Sequence, residues 1–204
     1  VTFNNHGTIE GESESNITIY VGYSIYGYST GTFNNHGSIS SEELAIFVGK
    51  NDYGQGESES ATGTFNNHEG SSISSSISLD IEVGSIGESG SGTITGTFNN
   101  HGTIEGESEI IDDTITIYVG RNYGESGNTT GTFNNHNGGS ITGWNTTNIF
   151  VGETASASAS ATGTFNNHKG SSISSESLDI EVGYIGRYGG GIATGTFNNY
   201  VGSS

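Results

Sequence analysis

The sequence has no cysteine, proline or methionine, and only four basic residues against 22 acidic ones. Without cysteine there is no disulfide framework, no thiolate site and no Cys-ligated zinc. Two Lys and two Arg under a formal charge of −18 make a surface that repels phosphate backbones, so nucleic acid is a poor partner. No apolar run approaches the ~18 residues of a membrane-spanning helix, and no membrane span is expected. The apolar share is also low, at 29% of 204 residues, where an ordinary globular domain has roughly 45–50%. A conventional core is therefore excluded. Disorder does not follow, because 10 Tyr, 9 Phe and many Ile and Val stand at patterned positions. The chain opens at Val1, which suggests a processed chain or a fragment, and a removed secretion signal would account for it.

What the chain does have is a repeat. Thr-Phe-Asn-Asn occurs seven times, with Phe3, Phe33, Phe65, Phe98, Phe133, Phe165 and Phe197 spaced 30–35 residues apart. The second Asn of each copy is Asn5, Asn35, Asn67, Asn100, Asn135, Asn167 and Asn199. Six copies continue into His (His6, His36, His68, His101, His136, His168), and the last has Tyr200 instead. Between them runs apolar-x-Ile-x-Val-Gly, ending on Val21, Val48, Val83, Val119, Val151 and Val182, each followed by Gly. Thr147 takes the leading apolar place in the fifth of these segments.

Units begin near residues 1, 31, 63, 96, 131, 163 and 195 of one repeat domain, 1–204. Phe3, Phe98 and Phe197 are 95 and 99 residues apart, and the block 1–95 reads as duplicated in 96–194.

Strict alternation in Leu79-Asp-Ile-Glu-Val and Ile17-Thr-Ile-Tyr-Val is the period of a half-buried strand. Gly and Ser interrupt every run too often for a helix to persist. Short strands recurring every ~32 residues predict an all-β fold, a β-solenoid of six repeats plus a partial seventh. Coils stack their strands ~4.8 Å apart, so like residues form ladders: Phe and Val inside, and Asn where amides bond along the stack. Alternation places Phe and the second Asn inward, with Thr, the first Asn and His outward. Each unit is either one coil of ~32 residues or two of ~16, and the pattern admits both.

The phrase Phe3-Asn-Asn-His-Gly-Thr-Ile-Glu-Gly resembles the Asn-x-Gly-x-Ile repeats of filamentous-haemagglutinin-like and autotransporter adhesins. The likeness runs through nearly the whole chain, and departs in the long uneven period and in the His after the Asn pair. It implies a β-helix, secretion to the extracellular space or cell surface, and a role in attachment.

Two features are candidate metal sites. Stacked on one edge, the His residues would lie ~5 or ~10 Å apart depending on coil number, and at the shorter spacing adjacent imidazoles could share a transition metal; the weightier expectation is a polar residue that ends the strand and bonds nearby backbone. The stretches Gly11-Glu-Ser-Glu-Ser, Gly56-Glu-Ser-Glu-Ser and Gly106-Glu-Ser-Glu are calcium candidates, outweighed by a solvated acidic face because calcium loops centre on Asp. No cofactor is expected. Asp80 with Glu82 and Asp179 with Glu181 read as outward strand positions rather than acid–base pairs.

The polar features recur unit by unit, whereas a catalytic site is one asymmetric constellation, so no enzyme is expected and no catalytic residue is assigned. Trp144 alone is unique. Glycosylation candidates are Asn16, Asn128 and Asn145. Tyr20, Tyr23, Tyr26 and Tyr28, with Tyr184, Tyr188 and Tyr200, gather as an adhesive surface or as cross-strand pairs.

Both ends carry the same strand and no polar cap, which predicts end-on stacking. The expected function is the subunit of an extracellular fibre with adhesive or scaffold roles, its partners further copies of itself and cell-surface or matrix glycans. The alternative is a passenger segment of a larger adhesin. An ice-binding solenoid needs a flat, regular Thr array, and is remote because Thr is scattered among Ser, Glu and Asn. A polysaccharide-active β-helix enzyme is remoter still.

Overall fold

The structure is a computed structural model that describes residues 1–12, 14–25, 27–52, 59–107, 113–124, 126–155, 158–186 and 191–204. The first coil comprises β1 (Thr2–Asn5), β2 (Thr8–Glu10) and β3 (Asn16–Ser24). The second has β4 (Tyr28–Asn35) and β5 (Ser38–Asn51); the third has β6 (Ser60–Asn67) and β7 (Ser72–Ile86). Next come β8 (Thr93–Asn100), β9 (Thr103–Gly106) and β10 (Thr114–Asn122), then β11 (Gly127–Asn135), β12 (Ser140–Thr142) and β13 (Thr146–Thr154). The sixth coil has β14 (Ala159–Asn167), β15 (Ser172–Ser174) and β16 (Ser177–Ile185), and β17 (Ile192–Asn199) opens a seventh. The described residues contain no helix, and so none long and apolar enough to cross a membrane.

Every strand pairs in parallel with its equivalent one repeat away. Phe3 faces Phe33, Phe33 faces Phe65, and the register continues unbroken to Phe165 and Phe197. One repeat is thus one coil of ~32 residues. The Thr-Phe-Asn-Asn strands form a seven-stranded first sheet, β1-β4-β6-β8-β11-β14-β17. The second sheet has two arms, an N-arm from β2 to β15 and a C-arm from β3 to β16, which β5 and β7 carry as single strands.

Between the sheets runs a narrow core. Phe65, Phe98, Phe133 and Phe165 are fully buried, against Leu79, Ile81 and Val83 of the C-arm and their equivalents. The sequence reading missed a third apolar ladder, Ile9, Ile39, Ile73, Ile104, Ile141 and Ile173, on the N-arm. Its strands span only three or four residues in several coils, too short for alternation to stand out.

The Gly after each Val does not close the strand. Gly22, Gly49, Gly84, Gly120, Gly152 and Gly183 take left-handed φ of 66–73°, and each C-arm strand runs on beyond its Gly. The bend presses most of these glycines against the first sheet: a Cβ on Gly84 would meet the Thr130 carbonyl, and one on Gly131 the Val83 carbonyl. The sheets meet backbone to backbone there, which is how so few apolar residues enclose a core.

Candidate functional site

Three surfaces carry the polar chemistry: the Asn pair with its His, the outward face of the first sheet, and the outward face of the C-arm.

Each buried Asn braces the corner between the first sheet and the N-arm. Asn100 Nδ2 donates to Asn135 Oδ1 at 2.9 Å and to the Ser140 carbonyl at 3.2 Å. The same pair of bonds recurs at Asn35, Asn67, Asn135 and Asn167. The outer Asn makes a second ladder of opposite sense, in which Asn99 donates to Asn66 and Asn134 to Asn99, both at 2.9 Å. Inner amides point toward the C-terminal end and outer amides toward the N-terminal end.

The His residues stack on this corner in two runs of three, His6 to His68 and His101 to His168. Ring centroids lie 4.8 Å apart for His6–His36, 3.9 Å for His36–His68, 4.1 Å for His101–His136 and 4.9 Å for His136–His168. Tyr200 continues the column at 5.1 Å from His168. The expected hydrogen bonds from imidazole to nearby backbone are absent among the described residues, and the rings touch one another instead. Parallel rings carry their nitrogens side by side, and among the described residues no group of three or more His, Asp or Glu is placed to hold an ion.

Charging such a column is costly. Burial, then His101 and His168, push His136 down from 6.5 to about 4, and burial with His36 and His101 lowers His68. An imidazole held low favours the folded chain above pH 6.5, and that contribution is lost as pH falls through about 4. Asp113, buried and raised from 3.8 to about 6, acts in the opposite sense and loses its contribution as pH rises through about 6. The groups are separable by substitution. His136→Phe keeps a stacking ring without a charge, and we expect it to lose less stability than the parent between pH 7 and pH 4.5. Denaturation at the two pH values, with NMR titration of His136, checks this; a His136 that titrates near 6.5 contradicts it.

On the first sheet the fold sorts what the sequence scatters. In-register stacking brings Thr2, Thr32, Thr64, Thr97, Thr132, Thr164 and Thr196 into one column. Thr30, Thr62, Thr95, Thr130, Thr162 and Thr194 form another, two residues along the strand. Both face outward, because the intervening Gly and the following Phe are the inward positions of the alternation. The expectation of an irregular Thr distribution is corrected here.

The C-arm face is irregular by contrast. Its outward column reads Tyr20, Phe47, Glu82, Tyr118, Phe150, Glu181. Tyr20 stacks on Phe47 and Tyr118 on Phe150, both at 5.0 Å. Two of the four cations are here: Lys50 lies over Phe47 and bridges Glu82 at 3.3 Å, and Arg121 lies over Tyr118 and bridges Glu82 at 2.8 Å. The Tyr123 hydroxyl donates to Glu153; burial and that carboxylate push Tyr123 up to about 12. Asp80 stands outward on this face, as read, and Glu82 serves as an ion-pair hub.

The remaining candidates disperse. Glu10, Glu12, Glu42 and Glu107 line a shallow acidic groove on the N-arm. Ser13, Gly56, Glu57, Ser58, Ser108 and Glu109 of the acidic stretches, and Tyr26 and Tyr188, lie outside the described residues. Asn16 and Asn128 are exposed and Asn145 is half-buried; Trp144 is exposed.

No family model, curated protein or solved structure matches this chain. The fold is a parallel β-solenoid of about six turns with a ~32-residue repeat.

Proposed function

We propose that this protein is a non-catalytic structural subunit, secreted to the extracellular space or cell surface, that stacks end to end into a fibre serving adhesion or scaffolding. The observation that carries this reading is the opposed sense of the two Asn ladders. At one end Asn199 keeps an amide donor and Asn198 an amide acceptor; at the other, Asn5 Oδ1 takes only the Gly7 amide and Asn4 Nδ2 has nothing to donate to. Asn35 Oδ1 accepts both the Gly37 amide and Asn5 Nδ2, so the oxygen at Asn5 has room for one more donor. A second copy set C-terminal end to N-terminal end completes both bonds. Phe3, 51% exposed where Phe98 is fully buried, would extend the Phe stack beyond Phe197. The resemblance to adhesin repeats supports secretion and attachment, with cell-surface or matrix glycans as further partners.

A specific observation favours a second reading, a passenger segment of a larger secreted adhesin. The first sheet has seven strands where the C-arm has six, so a stacked copy leaves a one-strand notch beside β16, where Leu178, Val182 and Ile185 are exposed. Further coils of one polypeptide would fill it.

Phe3→Glu separates the readings, since it puts a charge in the stacking face at the open end of the core, where Phe3 is 51% exposed and stacks on Phe33 at 4.9 Å. Sedimentation of the parent chain is expected to show concentration-dependent growth that Phe3→Glu abolishes, with the single chain still folded and its melting lowered only by the lost contact with Phe33. A parent chain that stays monomeric at every concentration overturns the fibre.

A further inference from the structure

The core accounts for only part of Thr-Gly-Thr-Phe-Asn-Asn. Gly is required by the backbone contact with the C-arm, Phe by the core and the second Asn by the corner brace. The outward Thr, Thr and Asn are under none of these demands, yet they recur in every full copy of the strand. Strand propensity alone would accept Val, Ile, Tyr or Phe there. The C-arm is the internal control: same chain, same repeat, and its outward column changes from Tyr to Phe to Glu.

Three further observations converge on this face. In a chain of net charge −18, no Asp, Glu, Lys or Arg occurs in any strand of the first sheet. Successive Phe rings from Phe33 to Phe165 stay parallel within 3–6°, so the same side-chain geometry repeats from coil to coil behind this face. Finally, among the described residues no hydroxyl of the two Thr columns has a protein hydrogen-bond partner.

The result is a rigid net of methyl and hydroxyl groups. Its cell is ~4.8 Å across the strands and ~6.6 Å along them, twice the rise of a parallel strand. β-branching leaves Thr stiff at χ1, so the net is fixed before anything binds. Methyls restrict the orientation of first-shell water, and neighbouring hydroxyls anchor it. The cell is of the size of the oxygen repeats on the faces of ordinary ice.

We infer that the outward Thr–Thr–Asn face of the first sheet is an ice-adsorbing surface. The ligand is crystalline water, and the site is the middle of the two columns, Thr62 to Thr132. The inference rests on the fold and holds for a single chain or a stacked one. Adsorption needs no charge, metal or cofactor. It pins the growing ice front between bound molecules, so crystals stop growing over an interval below the melting point.

The test uses the intact chain beside two variants that carry the same change on opposite sheets. Thr97→Tyr breaks the net at its centre, and Thr116→Tyr puts the same bulk on the outward face of β10. Thermal hysteresis and the uptake of labelled protein into a growing ice hemisphere are read for all three, with circular dichroism as the check on folding. The parent and Thr116→Tyr are expected to show a hysteresis gap and uptake, and Thr97→Tyr to lose most of both while keeping its strand signal. Thr97→Ser, which removes one methyl, is expected to lose part of the gap and serves if the Tyr variant does not fold. A parent chain with no gap and exclusion from ice overturns the inference. So does equal loss in Thr97→Tyr and Thr116→Tyr. If the parent instead forms lateral dimers that Thr97→Tyr abolishes, without any gap, the face pairs copies of the chain and the ice inference fails.

Discussion

Gly131→Ala is expected to force the two sheets apart and to cost more than about 3 kcal/mol. A Cβ at this position would lie closer than 3 Å to the Val83 carbonyl oxygen, the Gly120 nitrogen and the Val119 carbonyl carbon. All three atoms are backbone, held by ladders above and below, so no rotamer change relieves the overlap. Movement of the arm would in turn expose Phe133 and Val119, both fully buried. Gly138→Ala is the matching control. That residue has φ of 83° with nothing within 4 Å of a Cβ, so its cost is the left-handed backbone alone, about 1–2 kcal/mol. Chemical denaturation in the Phe3→Glu background, where stacking is expected to be absent, compares the two; equal costs would contradict backbone contact between the sheets.

Asn100→Leu is the second large effect. Leucine is near enough in size to fill the site, but it can neither accept from Asn67 Nδ2 nor donate to Asn135 Oδ1, which bond it at 2.8 and 2.9 Å. Both partners are buried beyond the reach of water. Each buried group left unsatisfied costs about 1–3 kcal/mol, so the substitution is expected to cost about 2–6 kcal/mol. Asn99→Leu removes an equal number of ladder bonds from the outer column. That column is half-exposed, water replaces what is lost, and the expected cost is below about 1 kcal/mol. Similar effects at the two positions would mean that the inner ladder is not the brace described above.

The parts legible in the sequence are those where one residue type serves one inward position. Phe3 to Phe197 and Val21 to Val182 alternate with polar neighbours, and the alternation alone gives their side of the sheet. The inner Asn was readable for the same reason: an amide at an inward position needs a partner, and its copy one coil away supplies it. Coil size was not readable, because the halves of each repeat have similar lengths and only the pairing of Phe3 with Phe33 decides it.

The glycines show a different limit. A Gly after Val reads as a strand end, whereas here it bends a strand that continues, and only its contact across the core reveals that. Lateral order is the third. Thr30 and Thr62 are 32 residues apart in the chain and adjacent in space, and a face built from such neighbours does not exist along a one-dimensional sequence. The His column was legible from its place after each Asn pair, but that its rings contact one another rather than backbone was not.

Cryo-electron microscopy of the purified chain tests the central claim most directly. The account predicts unbranched fibres with an axial layer line at ~4.8 Å, in which Asn199 of one copy lies against Asn5 of the next. Discrete rods of about six coils that never associate would contradict it, and would move the reading to a segment of a longer solenoid.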